Sequence, residues 1–283
     1  MILGNHFTYF RDCILFGRGL KEASGRVKGG IISLMNDFPN PLLHYFLTAQ
    51  HLVVLSGAGI SAESGIPTFR QAQTGLWSQY DPEALATRQA FQRNPRLVWE
   101  WYSWRRELIE RADPNPAHFA LVELSGRMPL TLITQNVDGL HQLAGSQRVI
   151  ELHGNIWRNK CFDEEQVIEE WPETEEVPPR CPYCGGWLRP DVVWFGESLS
   201  RPVLEAATQA ANQCDLFLIV GTSSLVYPAA GLPLMAKARG ATLIEINPEK
   251  TLLTSEVDYA LHGPAGIILP NLLQQLNQYA AQV

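Results

Sequence analysis

The 283-residue chain reads as an α/β protein built on a mostly parallel sheet, with a smaller module interrupting it. Two observations predict the sheet: short apolar runs alternate with amphipathic stretches, and each run gives way to small or amide-bearing residues at its C-terminal end. A third predicts the module: a Cys-x-x-Cys turn at Cys181 and Cys184, followed by glycines, has metal-knuckle spacing.

Four runs qualify as buried strands. His51–Leu55 leads into Ser56-Gly57-Ala58-Gly59, and Leu130–Thr134 into Gln135-Asn136-Val137-Asp138. Leu216–Val220 leads into Gly221-Thr222-Ser223-Ser224, and Thr242–Ile246 into Asn247-Pro248-Glu249. In an open parallel sheet such ends line one edge, where ligands bind in the crevice. Four of them together suggest a nucleotide-sized site, whereas one alone would be an ordinary turn.

Gly57-Ala58-Gly59-Ile60-Ser61-Ala62 fits a dinucleotide fingerprint with alanine in the third position, its glycines letting backbone amides approach a pyrophosphate. Ser64-Gly65-Ile66-Pro67 then stops the helix within about a turn, because proline lacks an N–H and restricts its predecessor. Glu63 to Arg70 is therefore expected to be a loop over the crevice, with Phe69 and Arg70 placed to cover a reactive end. The competing reading is a surface loop with Phe69 tucked into the core.

Asn94-Pro95 marks a helix start, and Leu97, Trp101, Trp104 and Leu108 recur as its expected core stripe. Tyr102 and Arg105 sit three apart on the adjoining face. Arg106 has Glu110, and Glu107 has Arg111, at helical spacing, but no acidic residue stands three or four positions from Arg105. A ligand carboxylate could meet that guanidinium bidentately. A salt bridge to a distant acid, or a snorkelling side chain, serves equally well.

The module expected to bind metal has one irregular ligand position. His153-Gly154-Asn155-Ile156-Trp157 precedes Cys161, whose partner three residues on is Glu164, before Cys181 and Cys184 complete the set. Three thiolates with Glu164, Asp163 or water would satisfy zinc; the alternative is a module that has lost its metal. From Asp163 to Glu176 there are eight acidic residues and no basic one, which repels nucleic acid.

Composition bounds the remaining classes. At 46% hydrophobic and 18% charged residues the chain is globular, not disordered, and a formal net charge of -7 argues against general nucleic-acid binding. The apolar runs fall far short of the roughly 20 residues a membrane span needs. Five cysteines, irregularly placed, favour a reducing cytoplasm. Residues 1–34 lack periodicity and carry five basic and two acidic residues. They read either as a targeting peptide or as an upstream extension with Met35 as the working initiator.

The ordered series Gly57 to Arg70, Gln135-Asn136-Val137-Asp138, His153-Gly154, Cys181-Pro182-Tyr183-Cys184, Val192-Val193-Trp194-Phe195-Gly196-Glu197, Gly221-Thr222-Ser223 and Asn247-Pro248-Glu249 resembles the sirtuins, NAD-dependent protein deacylases. Tyr102-x-x-Arg105 resembles the signature of members that remove succinyl and malonyl groups. The resemblance implies a Rossmann-like large part (about 35–70, 115–153 and 197–283) and a small part, helical over about 71–114 and zinc-bearing over 154–196.

Carried over by motif, Gly57, Ala58, Gly59, Ser61, Phe69 and Arg70 would hold the pyrophosphate and nicotinamide end of NAD. Gln135, Asn136, Val137 and Asp138 would surround the nicotinamide and its ribose. Gly221, Thr222, Ser223, Asn247, Pro248, Glu249 and Ala265 would line the adenosine part. His153 would be the general base, with Asn136 and Asp138 in the catalytic group. Val193, Trp194, Phe195 and Gly196 would pair with the acyl-lysine peptide as an added strand, and Tyr102 and Arg105 would read its acyl group. The partners implied are acylated lysine-bearing proteins or peptides, without nucleic acid or membrane; a monomer satisfies the sequence. ADP-ribosyl transfer, or a non-catalytic NAD or ADP-ribose sensor, are the alternatives.

Overall fold

A computed structural model describes residues 38–67, 81–171 and 174–282. The basic segment 1–34, Met35, and the expected cover residues Phe69 and Arg70 lie outside the described residues.

Six strands form one wholly parallel sheet: β1 (Leu52–Ser56), β2 (Leu130–Thr134), β3 (Val149–Glu151), β7 (Leu216–Val220), β8 (Thr242–Asn247) and β9 (Tyr259–His262), in the order β3-β2-β1-β7-β8-β9. This is the doubly wound order, with its reversal between β1 and β7. The expected strands agree to within a residue at their ends. Both faces are covered, which explains why β1 and β7 read as unbroken apolar runs. Leu52 and Val54 face the core made with α1 (Asn40–Thr48), α6 (Pro116–Ser125) and α10 (Ala265–Ala280). Val53 and Leu55 face the core made with α8 (Arg201–Gln213) and α9 (Leu232–Ala238). Each such fully buried aliphatic side chain stabilises the fold by roughly 1.5–3 kcal/mol.

A second sheet carries the small module. β4 (Gly154–Cys161) pairs antiparallel with β5 (Val167–Ile168) on one side and β6 (Leu188–Val192) on the other. Against it pack α3 (Pro82–Leu85), α4 (Arg88–Arg93) and α5 (Pro95–Glu110), through a core that includes Phe91, Trp101, Tyr102, Ile156, Phe162 and Trp194. The remaining elements among the described residues are α2 (Ala58–Ala62), α7 (Leu140–Ala144) and a short 3-10 turn at Ala229–Gly231. The helix that returns the chain from β1 to β2 is α6; α2 stops after five residues, at the Glu63–Gly65 turn. Among the described residues no helix is long and apolar enough to cross a membrane.

Asn94 caps α5 by accepting from Leu97 N at 3.1 Å, as its sequence predicts. The buried stripe differs from the expected one. It runs Val98, Trp101, Tyr102, Arg105 and Ile109, while Leu97, Trp104 and Leu108 are half-buried at its flank. Tyr102 and Arg105 therefore lie on the core face. Arg106 is also placed differently, donating to Ile156 O at 2.7 Å and Asn159 Oδ1 at 2.7 Å on β4 instead of meeting Glu110.

Candidate active site

The crevice opens where the strand order reverses, between β1 and β7. Gly57 N donates to Val220 O at 3.0 Å, and Gly59 N to Gly221 O at 2.7 Å, so the two strand ends are laced together. A Cβ on Gly59 would stand 2.7 Å from Gly221 O, and Gly221 itself has φ +58°. Only glycine permits this approach, and it leaves a cradle of bare backbone suited to a pyrophosphate.

β2 delivers Gln135 to Asp138 beside that cradle. Asn136 Nδ2 donates to Gly57 O at 3.1 Å and Ser61 Oγ at 3.0 Å, and Ser61 Oγ donates to Asp138 Oδ2 at 2.8 Å. Asp138 Oδ1 accepts from Leu140 N at 2.9 Å. Burial raises the Asp138 carboxyl above its ordinary value, against the pull of these bonds and of Arg105. Gln135 Nε2 donates to Thr222 Oγ1 at 2.9 Å, bridging β2 to the β7 end, while Val137 packs towards the small module's core.

His153 stands where the chain leaves the large sheet at β3 and enters the small one at β4. Gly154, at φ +80°, makes that crossing possible. His153 Nδ1 meets the Gln135 carbonyl at 2.9 Å. A carbonyl only accepts, so Nδ1 carries the proton and Nε2 keeps its lone pair. Burial lowers the imidazole from its ordinary value, so the ring is neutral at physiological pH. A half-buried, tautomerically fixed neutral imidazole is equipped to act as a base.

At the far end, Asn247 Nδ2 donates to Thr222 O at 2.9 Å, and Glu249 N donates to Asn247 Oδ1 at 3.3 Å across Pro248. Ser223 is exposed, and Ala265 is buried at the start of α10. Sequence reasoning missed Glu63, whose Oε1 accepts from Gly266 N at 2.9 Å and ties the turn after α2 to the positive end of α10. It also missed a buried polar chain behind the site. His141 Nε2 meets Ser56 Oγ at 2.8 Å, and Ser56 Oγ donates to Thr134 Oγ1 at 2.9 Å; that oxygen accepts from Asn136 N at 3.1 Å. The polar last residues of β1 and β2, Ser56 and Thr134, are its trace in the sequence.

The substrate candidates divide. Tyr102 and Arg105 are buried, with the Arg105 guanidinium 5.2 Å from the Trp101 ring centroid. Burial lowers Arg105, while Tyr102 and Asp138 act on it in the opposite direction, which ties the α5 face to the Asp138 end of the crevice. Ile66, Pro67, Arg105, Leu108 and Ile109 line a small cleft there. The segment 193–196, expected to be an edge for an added strand, has N–H groups engaged within the protein. Val193 N donates to His153 O at 2.9 Å, Trp194 N to Glu197 Oε2 at 2.8 Å and Phe195 N to Ala86 O at 2.9 Å, before the chain turns at Gly196 (φ +84°). The Trp194 side chain faces the core, whereas Phe195 is exposed.

The three thiols of Cys161, Cys181 and Cys184 lie within 4.8 Å of one another, with Cys161 Sγ and Cys184 Sγ 3.4 Å apart. Tetrahedral thiolates around zinc are separated by about 3.8 Å, so this set fits the metal. Glu164 does not join it: its N–H donates to Cys161 Sγ at 3.4 Å, while its side chain is exposed, and among the described residues no carboxylate enters the mutually close group. The carboxylate packed against Gly186, next to Cys184, is that of Asp163.

Residues 57–228 match the Sir2 family. The chain belongs to that family. A relative from Ralstonia nicotianae, an NAD-dependent protein deacylase, is 52% identical over 225 residues, 80% of this chain and 92% of its own length. Another of the same name from Aquifex aeolicus is 54% identical over 230 residues, 81% of this chain and 96% of the relative. Among solved structures, a Sir2 homologue–NAD complex superposes with TM-score 0.79 at 46% identity, covering 86% of this chain and 95% of that one. A mutant Sir2 homologue bound to 2'-O-acetyl ADP-ribose superposes with TM-score 0.78 at 46% identity, covering 85% and 97%. The Sir2 chain therefore spans nearly the whole length of these relatives.

Proposed function

We infer that this Sir2 chain is an NAD-dependent protein-lysine deacylase whose pocket favours acidic acyl groups, succinyl and malonyl, over acetyl. The observation that carries the reaction is His153: a neutral imidazole with Nε2 unprotonated, fixed by the Gln135 carbonyl beside the glycine cradle and the Asn136–Ser61–Asp138 set. NAD supplies the anomeric carbon that takes the acyl oxygen as nicotinamide leaves; after the ribose hydroxyl adds to the acyl carbon, the lysine nitrogen leaves as free lysine and water completes the transfer to O-acyl-ADP-ribose. The backbone of Gly57 to Ser61, with Phe69 and Arg70, holds the pyrophosphate and nicotinamide end. Gly221 to Ser223, Asn247 to Glu249 and Ala265 flank the adenosine. Asn136 spends its two amide hydrogens on Gly57 and Ser61, which fixes its Oδ1 as an acceptor towards the nicotinamide side. His153 takes a proton from a ribose hydroxyl at Nε2, which makes that oxygen a nucleophile towards the acyl carbon.

The large part, about 35–70, 115–153 and 197–283, binds NAD, and the small part, 71–114 and 154–196, supplies the acyl pocket and the metal module. Acyl-lysine enters beside the 193–196 segment and pairs with backbone groups other than the three N–H groups already engaged. Support for acidic selectivity comes from the α5 face, where a permanently charged guanidinium is buried among aromatic rings close to the Asp138 end of the site. The chain works in a reducing cytoplasm, which suits the free thiols of Cys161, Cys181, Cys184 and Cys214 among the described residues.

The deciding experiment is an NAD-dependent assay on acetyl-, malonyl- and succinyl-lysine peptides with mass spectrometry of both products. We expect O-acyl-ADP-ribose, and an Arg105→Met variant that loses at least 30-fold in kcat/KM for succinyl-lysine while acetyl-lysine changes only a few-fold. Equal losses would remove the carboxylate-binding role, and ADP-ribosylated protein as the main product would establish the transferase alternative.

Cys161, Cys181 and Cys184 would hold a structural zinc, which would tie β4 to the Cys181–Cys184 turn in the module that backs α5. Metal analysis of protein purified without chelator should give one zinc per chain. Stripping it should lower the melting temperature by about 5–10 °C, the size expected for a few kcal/mol in a chain of this length. Less than a tenth of an equivalent would make the module metal-free.

A further inference from the structure

Tyr102 and Trp194 come from different parts of the small module, α5 and the segment after β6, yet their polar atoms meet in the core. Trp194 Nε1 lies 2.9 Å from Tyr102 Oη, and each residue is 2% exposed. An indole nitrogen only donates, so the tyrosine oxygen accepts and its own hydrogen must point elsewhere. Among the described residues nothing accepts that hydrogen, although a buried hydroxyl proton left unbonded is costly.

The indole is held from several sides. The Arg189 guanidinium, itself fully buried, stacks 3.5 Å from its ring centroid, and Phe91 packs 5.3 Å away on a tilted ring. Glu197 binds Arg189 through both oxygens, at 2.5 and 2.8 Å, and also accepts the Trp194 backbone N–H at 2.8 Å. Arg88 from α4 joins the same carboxylate at 3.4 Å. Ring and backbone of Trp194 are thus fixed by one ion cluster, and the direction of the indole N–H follows from it.

We propose that Trp194 is a positioning residue for acyl selectivity: by donating to Tyr102 Oη it commits the tyrosine to donate its own hydrogen to the carboxylate of an acidic acyl group, alongside Arg105. This rests on the acidic-acyl reading above and adds to it. Trp194 then serves the acyl pocket with its side chain, whereas its backbone belongs to the peptide segment. Without the indole, the Tyr102 hydroxyl can rotate and present a lone pair, which repels a carboxylate and is indifferent to an acetyl methyl.

The test uses the full chain and the ratio of kcat/KM for succinyl-lysine over acetyl-lysine in wild type, Trp194→Phe, Tyr102→Phe, the double variant and Arg105→Met. W194F should lower the ratio about five- to tenfold, mainly through the KM for succinyl-lysine, as expected for one misdirected hydrogen bond. In the Y102F background the same change should leave the ratio within twofold, because the hydroxyl it orients is gone. If R105M leaves the ratio unchanged, the acidic-acyl reading fails. If R105M lowers it and W194F does not, or W194F lowers it equally with and without the Tyr102 hydroxyl, the positioning role is overturned. Should W194F fold poorly, benzothienylalanine at position 194 keeps the bicyclic outline, replaces N–H by sulfur and makes the same measurement.

Discussion

Replacing His153 with alanine is expected to lower kcat/KM for acyl-lysine by at least about 1,000-fold while NAD binding changes only a few-fold. General bases contribute 10²- to 10⁴-fold, and this one needs no rearrangement to act. Its Nδ1 proton is committed to Gln135 O at 2.9 Å, so the lone pair sits at Nε2 in the resting protein. The pH profile distinguishes this role from a structural one. Burial is the larger influence and lowers the imidazole, with the Gln135 bond acting in the opposite direction. The active, neutral form is therefore already complete near neutrality. The rate should be flat from pH 7 to 8.5 and fall with a slope of one only below the ordinary histidine value of about 6.5. An acid limb centred above pH 7 would mean a stabilised imidazolium and would count against the base assignment. So would a His153→Ala variant keeping a tenth of wild-type turnover, provided its NAD affinity is intact.

The parts of this architecture that depend on near neighbours in sequence were legible there. Strand ends at Ser56, Thr134 and Val220, the α5 cap at Asn94 and the early stop of α2 all follow from local chemistry: apolar runs, an asparagine before a proline, and Gly65 and Pro67 after a single turn. What a helix turns towards its neighbours was less so. α5 is apolar or aromatic around more than half its circumference, so spacing alone admits a stripe through Leu97, Trp101, Trp104 and Leu108 with Tyr102 and Arg105 on the adjoining face. The stripe that is buried is chosen by Phe91, Phe162 and Trp194, which no spacing rule within α5 could supply. Helical spacing offers Glu110 to Arg106, but exposed carboxylates compete poorly with carbonyls at a partly buried strand. Contacts such as Ser56 with His141, 85 residues apart, or Trp194 with Tyr102, 92 apart, leave no periodic signature.

Acid should destabilise the fold through two of those invisible residues. His118 and His141 are 0% and 1% exposed, with ring centroids 4.8 Å apart, and burial lowers them to about 4 and about 3. His118 Nδ1 accepts from Asn115 N at 3.3 Å in the capping box of α6, so its Nε2 bears hydrogen. Ser56 Oγ spends its own hydrogen on Thr134, so His141 Nε2 donates to it and His141 Nδ1 keeps a lone pair. The two ring atoms left over, Nε2 of His118 and Nδ1 of His141, are thus a donor and an acceptor in adjacent rings. Both rings must stay neutral to coexist there. The sign follows from linkage: above about pH 6.5 neither the folded nor the unfolded chain protonates them, and their contribution is constant. Below that value the unfolded chain binds two protons that the folded chain refuses until about pH 4. Stability is therefore lost as pH falls through this window, by about 1.4 kcal/mol per unit for each ring. Between pH 7 and pH 5 the two together remove about 3–4 kcal/mol, several hundredfold in the folding equilibrium. Urea unfolding at the two pH values measures it, and a His118→Gln/His141→Gln variant, though less stable at pH 7, should show a pH difference smaller by that amount. An unaltered pH difference in the double variant would mean that other groups carry the acid response.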